Sequence, residues 1–298
     1  MTALLHAHSE GGFFSEVLLH SLLETARVAI FLFLVYLIME LIEHRAPASA
    51  ERIMRRAGRF APLLGGILGA LPQCGFSAAA AGLYSGRVIT LGTLLAVFLS
   101  TSDEMLPILI GGNIEIGKIL LIIVYKIGVG IFIGIAIDII LRLFVREHAH
   151  AHIEDMCEEG GCHCERGIFR SALHHTLTVS LFVLIVTLGV SSLVYFVGEE
   201  ALARLFPRIP VLSHLVGALI GLIPSCASSV LLTELAISGI ISTGAMLSGL
   251  FAGAGAGILV LIRTNKPRKN TLIIILLLLL FGALFGMLAE LFPALSLA

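Results

Sequence analysis

The sequence has no tryptophan, and only 13% of its 298 residues are charged. A soluble domain carries about 25% charged residues, so a water-facing surface around the whole chain is excluded. Hydrophobic residues instead reach 58%, and the mean hydropathy is +1.04. A soluble core cannot absorb so much apolar surface, and we expect membrane lipid to surround most of the chain.

Signatures of several other protein classes are also missing. The formal net charge of −1 provides no excess of positive charge for nucleic acid. The sequence contains no Gly-x-x-x-x-Gly-Lys-[Ser/Thr] run, no His-Glu-x-x-His pair and no nucleophile–base constellation. We therefore expect neither an enzyme nor a nucleic-acid partner. Residues 1–9 hold no basic residue, unlike a signal peptide, so we expect the first apolar segment to be retained.

The apolar residues form segments, most of which match the ~20 residues that cross ~30 Å of hydrocarbon. Two segments are interrupted around a proline, at Leu71–Gly75 and Ile223–Ala227. Each interruption leaves two helical arms that are too short to cross the membrane. We predict an all-α polytopic membrane protein with about ten transmembrane helices or half-helices, including interrupted helical hairpins. The segments lie at 24–42, 60–86, 91–112, 118–144, 172–197, 211–237, 242–262 and 271–292.

The interrupted segments belong to an internal repeat. A shift of 152 positions aligns their prolines, their cysteines and several glycines without a gap. We divide the chain into a first membrane repeat at 1–146, a polar loop at 147–168 and a second membrane repeat at 169–298. The aligned pairs are Gly65 with Gly217, Gly69 with Gly221, Pro72 with Pro224, Cys74 with Cys226, Ser77 with Ser229, Gly92 with Gly244, Gly130 with Gly282, Gly134 with Gly286 and Asp138 with Glu290.

Arginine and lysine residues predict the orientation. If each interrupted segment enters and leaves the membrane on one side, the repeats are inverted and fourteen basic residues share one face. Five of them are the arginines of loop 43–59. The positive-inside rule assigns this face to the cytoplasm. We predict a multi-pass protein of the cell membrane with a cytoplasmic central loop and both termini outside.

Paired breaks at equivalent points of two inverted repeats are typical of a transporter substrate site. Broken helices leave backbone groups that need protein or water as partners inside the membrane. As thiolates, the two cysteines of the breaks would suit soft ions. The alternative is that prolines and small residues merely pack the helices. The candidate substrate-binding residues at the breaks are Gln73, Cys74, Ser77, Cys226, Ser228 and Ser229.

Charged residues also fall within apolar segments, where each costs at least about 2.5–3.5 kcal/mol. Ser100, Asp103 and Glu104 share one helical face by their spacing, and we interpret them as substrate-binding residues. Lys126 lies at a similar depth, so we predict that it pairs with an acid in the empty site and couples transport. The alternative is a purely structural ion pair. Glu234 is a second coupling candidate, with a surface position as the alternative.

The polar loop between the repeats is rich in imidazole and thiol groups, which commonly bind Zn, Cu and Ni ions. Their spacing is not that of a fixed tetrahedral site. We interpret the loop as a flexible collector of metal ions, with a plain polar linker as the alternative. We expect no resident cofactor beyond a bound divalent metal ion. The candidate metal ligands are His148, His150, His152, Cys157, Cys162, His163 and Cys164.

The runs Leu71–Ser77, Ser102–Glu104 and Ile223–Ser229 resemble a family of ten-helix heavy-metal exporters. Members of that family are labelled arsenic efflux proteins or manganese transporters. The resemblance covers nearly the whole chain, including the His/Cys-rich loop. It implies a metal or metalloid permease, and it leaves the ion open between manganese, another divalent metal and arsenite.

These features predict an integral membrane permease that exports a metal or metalloid ion by alternating access. Because the sequence has no nucleotide-binding motif, we expect a gradient of protons to supply the energy, with a partner ATPase as the alternative. The alternative is a secondary transporter of anions or small organic acids, since helix N-termini at the breaks favour negative charge.

Overall fold

The computed structural model describes residues 60–70, 74–101, 105–112, 114–144, 168–197, 210–265 and 268–297, with a few short runs between 18 and 37. Every regular element in these ranges is helical, so the all-α class is confirmed. The helices are α1 (Ala61–Gly69), α2 (Cys74–Ser85), α3 (Leu91–Ser100), α4 (Met105–Gly111), α5 (Ile116–Phe144), α6 (Ile168–Val197), α7 (Pro210–Gly221), α8 (Cys226–Ile237), α9 (Thr243–Ala252), α10 (Ala256–Thr264) and α11 (Arg268–Ala289), followed by a 3₁₀ turn at Pro293–Leu295.

Five stretches of the described chain are long and apolar enough to cross a membrane. α5, α11 and part of α6 are single helices of this kind, whereas α3 with α4 and α9 with α10 are pairs of short helices. α5 and α11 expose leucine and isoleucine side chains, which fits contact with lipid. The five stretches are Leu91–Gly111, Ile116–Leu143, Ala172–Gly189, Thr243–Thr264 and Arg268–Ala289.

The third and seventh apolar segments are each broken, although the sequence analysis treats each as one helix. Residues 101–104 separate α3 from α4, and residues 253–255 separate α9 from α10. Pro107 lies in the first turn of α4, where its missing N–H is not needed. Gly255 has a φ of +50°, which a residue with a Cβ rarely adopts. Each half of the chain therefore holds two breaks rather than one.

Helices α3 and α9 begin with equivalent caps. The hydroxyl of Thr90 accepts a 3.1 Å hydrogen bond from the N–H of Thr93. The hydroxyl of Ser242 accepts one of the same length from the N–H of Ala245. Each cap satisfies an N–H that has no partner in the first turn. Thr90 and Ser242 are 152 positions apart, as are the bounds of α2 and α8, so the helices follow the register of the repeat.

Glycines allow α1 to approach α3 as closely as α7 approaches α9. A methyl group added at Gly69 would lie 2.6 Å from the carbonyl oxygen of Val97. A methyl group added at Gly221 would collide with the backbone of Gly249. Such spacing has no room for a side chain, so backbone packs directly on backbone.

The same packing joins α3 to α5 and α9 to α11. A methyl group at Gly130 would lie 2.8 Å from the carbonyl oxygen of Ala96. A methyl group at Gly282 would lie at the same distance, 2.8 Å, from the carbonyl oxygen of Ser248. We call the resulting groups the first core unit (α1, α3 and α5) and the second core unit (α7, α9 and α11). The glycines that the sequence aligns are contact residues within these units.

Two short helices cross from one half of the chain to the other. α2 packs along α10 of the second half, and α4 packs on α8. Gly257 of α10 lies against the backbone of Ser77 of α2. The hydroxyls of Ser85 and Thr264 form a 2.7 Å hydrogen bond between the same helices. The halves therefore interlock and share one interior.

Candidate functional site

Lys126 is a fully buried charged residue in α5. Ten residues separate it from the start of α5 at Ile116, which corresponds to about 15 Å along the axis. Its ammonium donates hydrogen bonds to the carbonyl oxygens of Thr101, at 2.5 Å, and Leu250, at 2.9 Å. The ammonium also lies 5.4 Å from the centre of the Phe251 ring, which attracts a cation. Lys126 thus links the two halves of the chain.

Both carbonyl partners of Lys126 belong to the ends of broken helices. Thr101 caps the end of α3, and Leu250 lies in the last turn of α9. The last four carbonyls of a helix have no partner within it, and the helix end carries a partial charge of about −0.5. The breaks after α3 and α9 therefore provide the oxygens that stabilise the buried ammonium.

Two of the serines predicted to contact substrate are fully buried, Ser77 in α2 and Ser100 at the end of α3. The hydroxyl of Ser100 donates to the carbonyl oxygens of Ala96, at 2.8 Å, and Val97, at 3.0 Å. These bonds stay within its own helix. Both serines lie inside the protein, Ser100 next to the break that follows α3.

The other two predicted serines, Ser228 and Ser229, lie in the first turn of α8. The break before α8 forms a tight turn in which the N–H of Ser225 donates to the carbonyl of Ile223 at 2.8 Å. The hydroxyl of Ser228 donates to these same residues, to the carbonyl of Ser225 at 2.7 Å and of Ile223 at 3.2 Å. The carbonyl of Ser229 accepts the hydroxyl of Thr233. Ser228 therefore satisfies backbone oxygens that the break exposes.

Glu234 is exposed on α8, and its carbonyl accepts a 2.9 Å hydrogen bond from the hydroxyl of Ser238. A coupling role for its carboxylate stays a prediction.

Other predicted site residues fall outside the described residues or side chains. Cys74 and Cys226 begin α2 and α8, while their thiols are among the side chains not described. Asp103 and Glu104 lie outside the described residues, so the pairing of Lys126 with an acid stays a prediction. Residues wholly outside the described part are Gln73, Asp103, Glu104 and the candidate metal ligands His148, His150, His152, Cys157, Cys162, His163 and Cys164.

A buried polar cluster in the second core unit was not predicted from the sequence. His214 of α7 is fully buried, and its Nδ1 lies 3.0 Å from the hydroxyl oxygen of Ser248 in α9. Its Nε2 lies 3.3 Å from Oε1 of Glu290 just after α11, without hydrogen-bond geometry. The signal in the sequence is a histidine within an apolar helix, aligned with Pro62 of the first repeat. The cluster joins all three helices of its unit.

Within the described ranges, no three His, Cys, Asp or Glu side chains come close enough to hold a metal ion. The arrangement that is present combines helix ends, buried hydroxyls and one ammonium, which can bind or release a charged or polar species. No family model, curated protein or solved structure matches this chain.

Proposed function

We propose that the chain is a secondary transporter that exports a metal or metalloid ion by alternating access. The observation that carries the proposal is the set of matched helix breaks. Breaks separate α1 from α2 and α3 from α4 in one half, and α7 from α8 and α9 from α10 in the other. Broken backbone is stable at membrane depth only beside protein or a water-filled path, and transporters bind substrate at such breaks.

The halves are proposed to be inverted repeats of a ten-helix carrier in the cell membrane. The 152-position register and the repeated glycine contacts support the duplication. The positive charge of loop 43–59 favours an orientation with the central loop cytoplasmic and both termini outside. Alternating access would rock one core unit against the other, with the exchanged helices α2, α4, α8 and α10 along the path.

The choice of ion follows from the side chains at and near the breaks. Thiols such as those of Cys74 and Cys226 suit As(III) or Cd(II), whereas the carboxylates of Asp103 and Glu104 suit Mn(II). The loop at 147–168 would collect ions on the cytoplasmic side before export. The chain would act as a carrier rather than an enzyme.

Lys126 is proposed to couple substrate and proton movement. A cation within about 4–6 Å of the ammonium disfavours its charged form. Loss of the proton would weaken the bonds to Thr101 and Leu250, because a neutral amine is a poorer donor. Since Leu250 belongs to the other half, this loss would loosen the link between the core units.

The proposal is tested by flux of Mn(II), Zn(II), Cd(II) and As(III) into proteoliposomes with an imposed pH gradient. Flux of Mn(II) that is lost in Asp103→Asn and kept in Cys74→Ser would identify an oxygen-ligand carrier. Flux of As(III) or Cd(II) that is lost in Cys74→Ser would identify a thiol-ligand carrier. Glu115→Gln removes an exposed carboxylate before α5 and is the matched control. Absence of flux for every metal, in protein shown to be folded, would contradict metal export.

A carrier for anions or small organic acids is the second candidate, and the burial of Lys126 favours it. A fixed ammonium at the breaks attracts a carboxylate or another anion and repels a metal cation. Anion-dependent flux that needs no metal, and that falls in Lys126→Gln, would establish this function. Unchanged anion flux in Lys126→Gln would remove the observation that favours it.

A further inference from the structure

The surroundings of the Lys126 ammonium have the composition of a binding site for a small cation. Carbonyl oxygens of Thr101 and Leu250, at the ends of two helices, accept hydrogen bonds from the nitrogen, and the centre of the Phe251 ring lies 5.4 Å from it. The side chain is fully buried, so bulk water does not share the site. Backbone carbonyls are also the groups with which membrane proteins replace the hydration shell of a cation.

The charge of the site suits a monovalent cation. The ends of α3 and α9 each carry a partial charge of about −0.5, which together amount to about one negative charge. These ends favour a positive charge, and the ammonium of Lys126 supplies one. A divalent ion would bring twice that charge into a medium where charge is costly.

The equivalent position in the second half carries no charge. Leu278 of α11 is 152 positions after Lys126, and it is fully buried as well. The repeat therefore places a buried side chain at both positions, and only the first carries a charge.

We propose that the carbonyl oxygens of Thr101 and Leu250, with the ring of Phe251, form a site for a monovalent cation that Lys126 fills with its own ammonium. The protein then needs neither sodium nor potassium at this site, because the cation is covalently attached. Removal of the side chain vacates the site, which then takes a small cation such as sodium, ammonium or methylammonium. The site goes beyond the proposed transport and does not depend on it.

The test compares thermal unfolding, followed by circular dichroism in detergent, in chloride salts of sodium, ammonium, methylammonium and choline at one ionic strength. For Lys126→Ala we expect one of the three small cations to raise the midpoint by at least about 2 °C relative to choline, as ligand binding to the native state requires. For the wild type we expect no such rise. Leu278→Ala removes the buried side chain at the equivalent position of α11 and is the matched control, with no expected response.

The proposal is overturned if Lys126→Ala responds no more than Leu278→Ala, or if any of the three small cations raises the midpoint of the wild type as much as that of Lys126→Ala. If Lys126→Ala does not fold in choline, it is expressed and purified with methylammonium or sodium throughout. We then expect folded protein to be recovered only with the small cation. Equal recovery with the small cation and with choline, including none in both, overturns the proposal. Because the readout is stability, failure of transport and failure of this site are distinguishable.

Discussion

Asp138 of α5 accepts a 3.0 Å hydrogen bond from the backbone N–H of Gly92 at the start of α3. Its other carboxylate oxygen accepts a 2.7 Å hydrogen bond from the hydroxyl of Thr90. Asp138 is buried, so it supplies from a neighbouring helix the acceptor that an N-terminal N–H otherwise lacks. The negative charge at a helix N-terminus is also favourable. Asp138 therefore fastens α3 to α5 within the first core unit.

Replacement of Asp138 by alanine is expected to lower the free energy of unfolding by about 1–3 kcal/mol, because a buried N–H and a hydroxyl lose their acceptor. Asp138→Asn keeps one oxygen acceptor and is expected to lose less. The measurement is denaturant unfolding in detergent micelles. Equal stability of Asp138→Ala and the wild type would show that the carboxylate does not hold the helix start.

Gly221→Ala is expected to destabilise the protein by about 1–3 kcal/mol, because a methyl group has no space against the backbone of Gly249. Gly128→Ala is the matched control, since nothing lies within 4 Å of a methyl group at that position. There the better helix propensity of alanine predicts a gain of up to about 1 kcal/mol. Thermal unfolding of both variants checks the prediction, and equal shifts for the two would contradict close packing of α7 on α9.

Arg87 and Gly239 occupy equivalent turns before α3 and α9, with φ angles of 56° and 72°. Only glycine adopts this region without strain, which for other residues amounts to roughly 1–2 kcal/mol. We expect Arg87→Gly to gain stability by up to about 1 kcal/mol and Gly239→Ala to lose a similar amount. Unfolding midpoints of both variants test this. A loss of stability in Arg87→Gly would indicate that the arginine side chain compensates for the strained turn.

His214 and Ser248 are expected to be energetically coupled across α7 and α9, since their 3.0 Å contact is buried. A double-mutant cycle with His214→Ala and Ser248→Ala is predicted to give a coupling energy of about 1 kcal/mol. The control cycle pairs His214→Ala with Ser85→Ala, whose hydroxyl bonds to Thr264 in another part of the protein. Coupling within error of zero in the first cycle would mean that the contact adds nothing to stability.

The points of close helix contact could be predicted because they depend on glycines that recur in one register. Gly69 and Gly221 align in the sequence, and both prove to be points of close helix contact. Gly130 and Gly282 behave in the same way. A glycine in an apolar segment predicts close approach directly, since the absence of a side chain is what permits it.

The breaks after α3 and α9 could not be predicted in the same way. A run of small residues such as that around Gly253 and Gly255 looks alike in a packed helix and in a break. The partners of Lys126 escaped prediction for a different reason. Its acceptors are backbone oxygens, and Leu250 lies 124 residues away in the chain. Carbonyl groups are present at every residue, so the sequence does not show which of them accepts a hydrogen bond from a side chain.

The exchange of short helices between the halves affects how the protein is made. α2 packs along α10, and 170 residues lie between the end of α2 at Ser85 and the start of α10 at Ala256. At about 5–20 residues per second, the ribosome needs roughly ten to thirty seconds to synthesise the residues between the two helices. During this interval α2 can pack on α3 of its own half, but the side at Ser77 that contacts Gly257 of α10 has no partner yet. We expect lipid to cover this side of the nascent first half until the second half has been inserted.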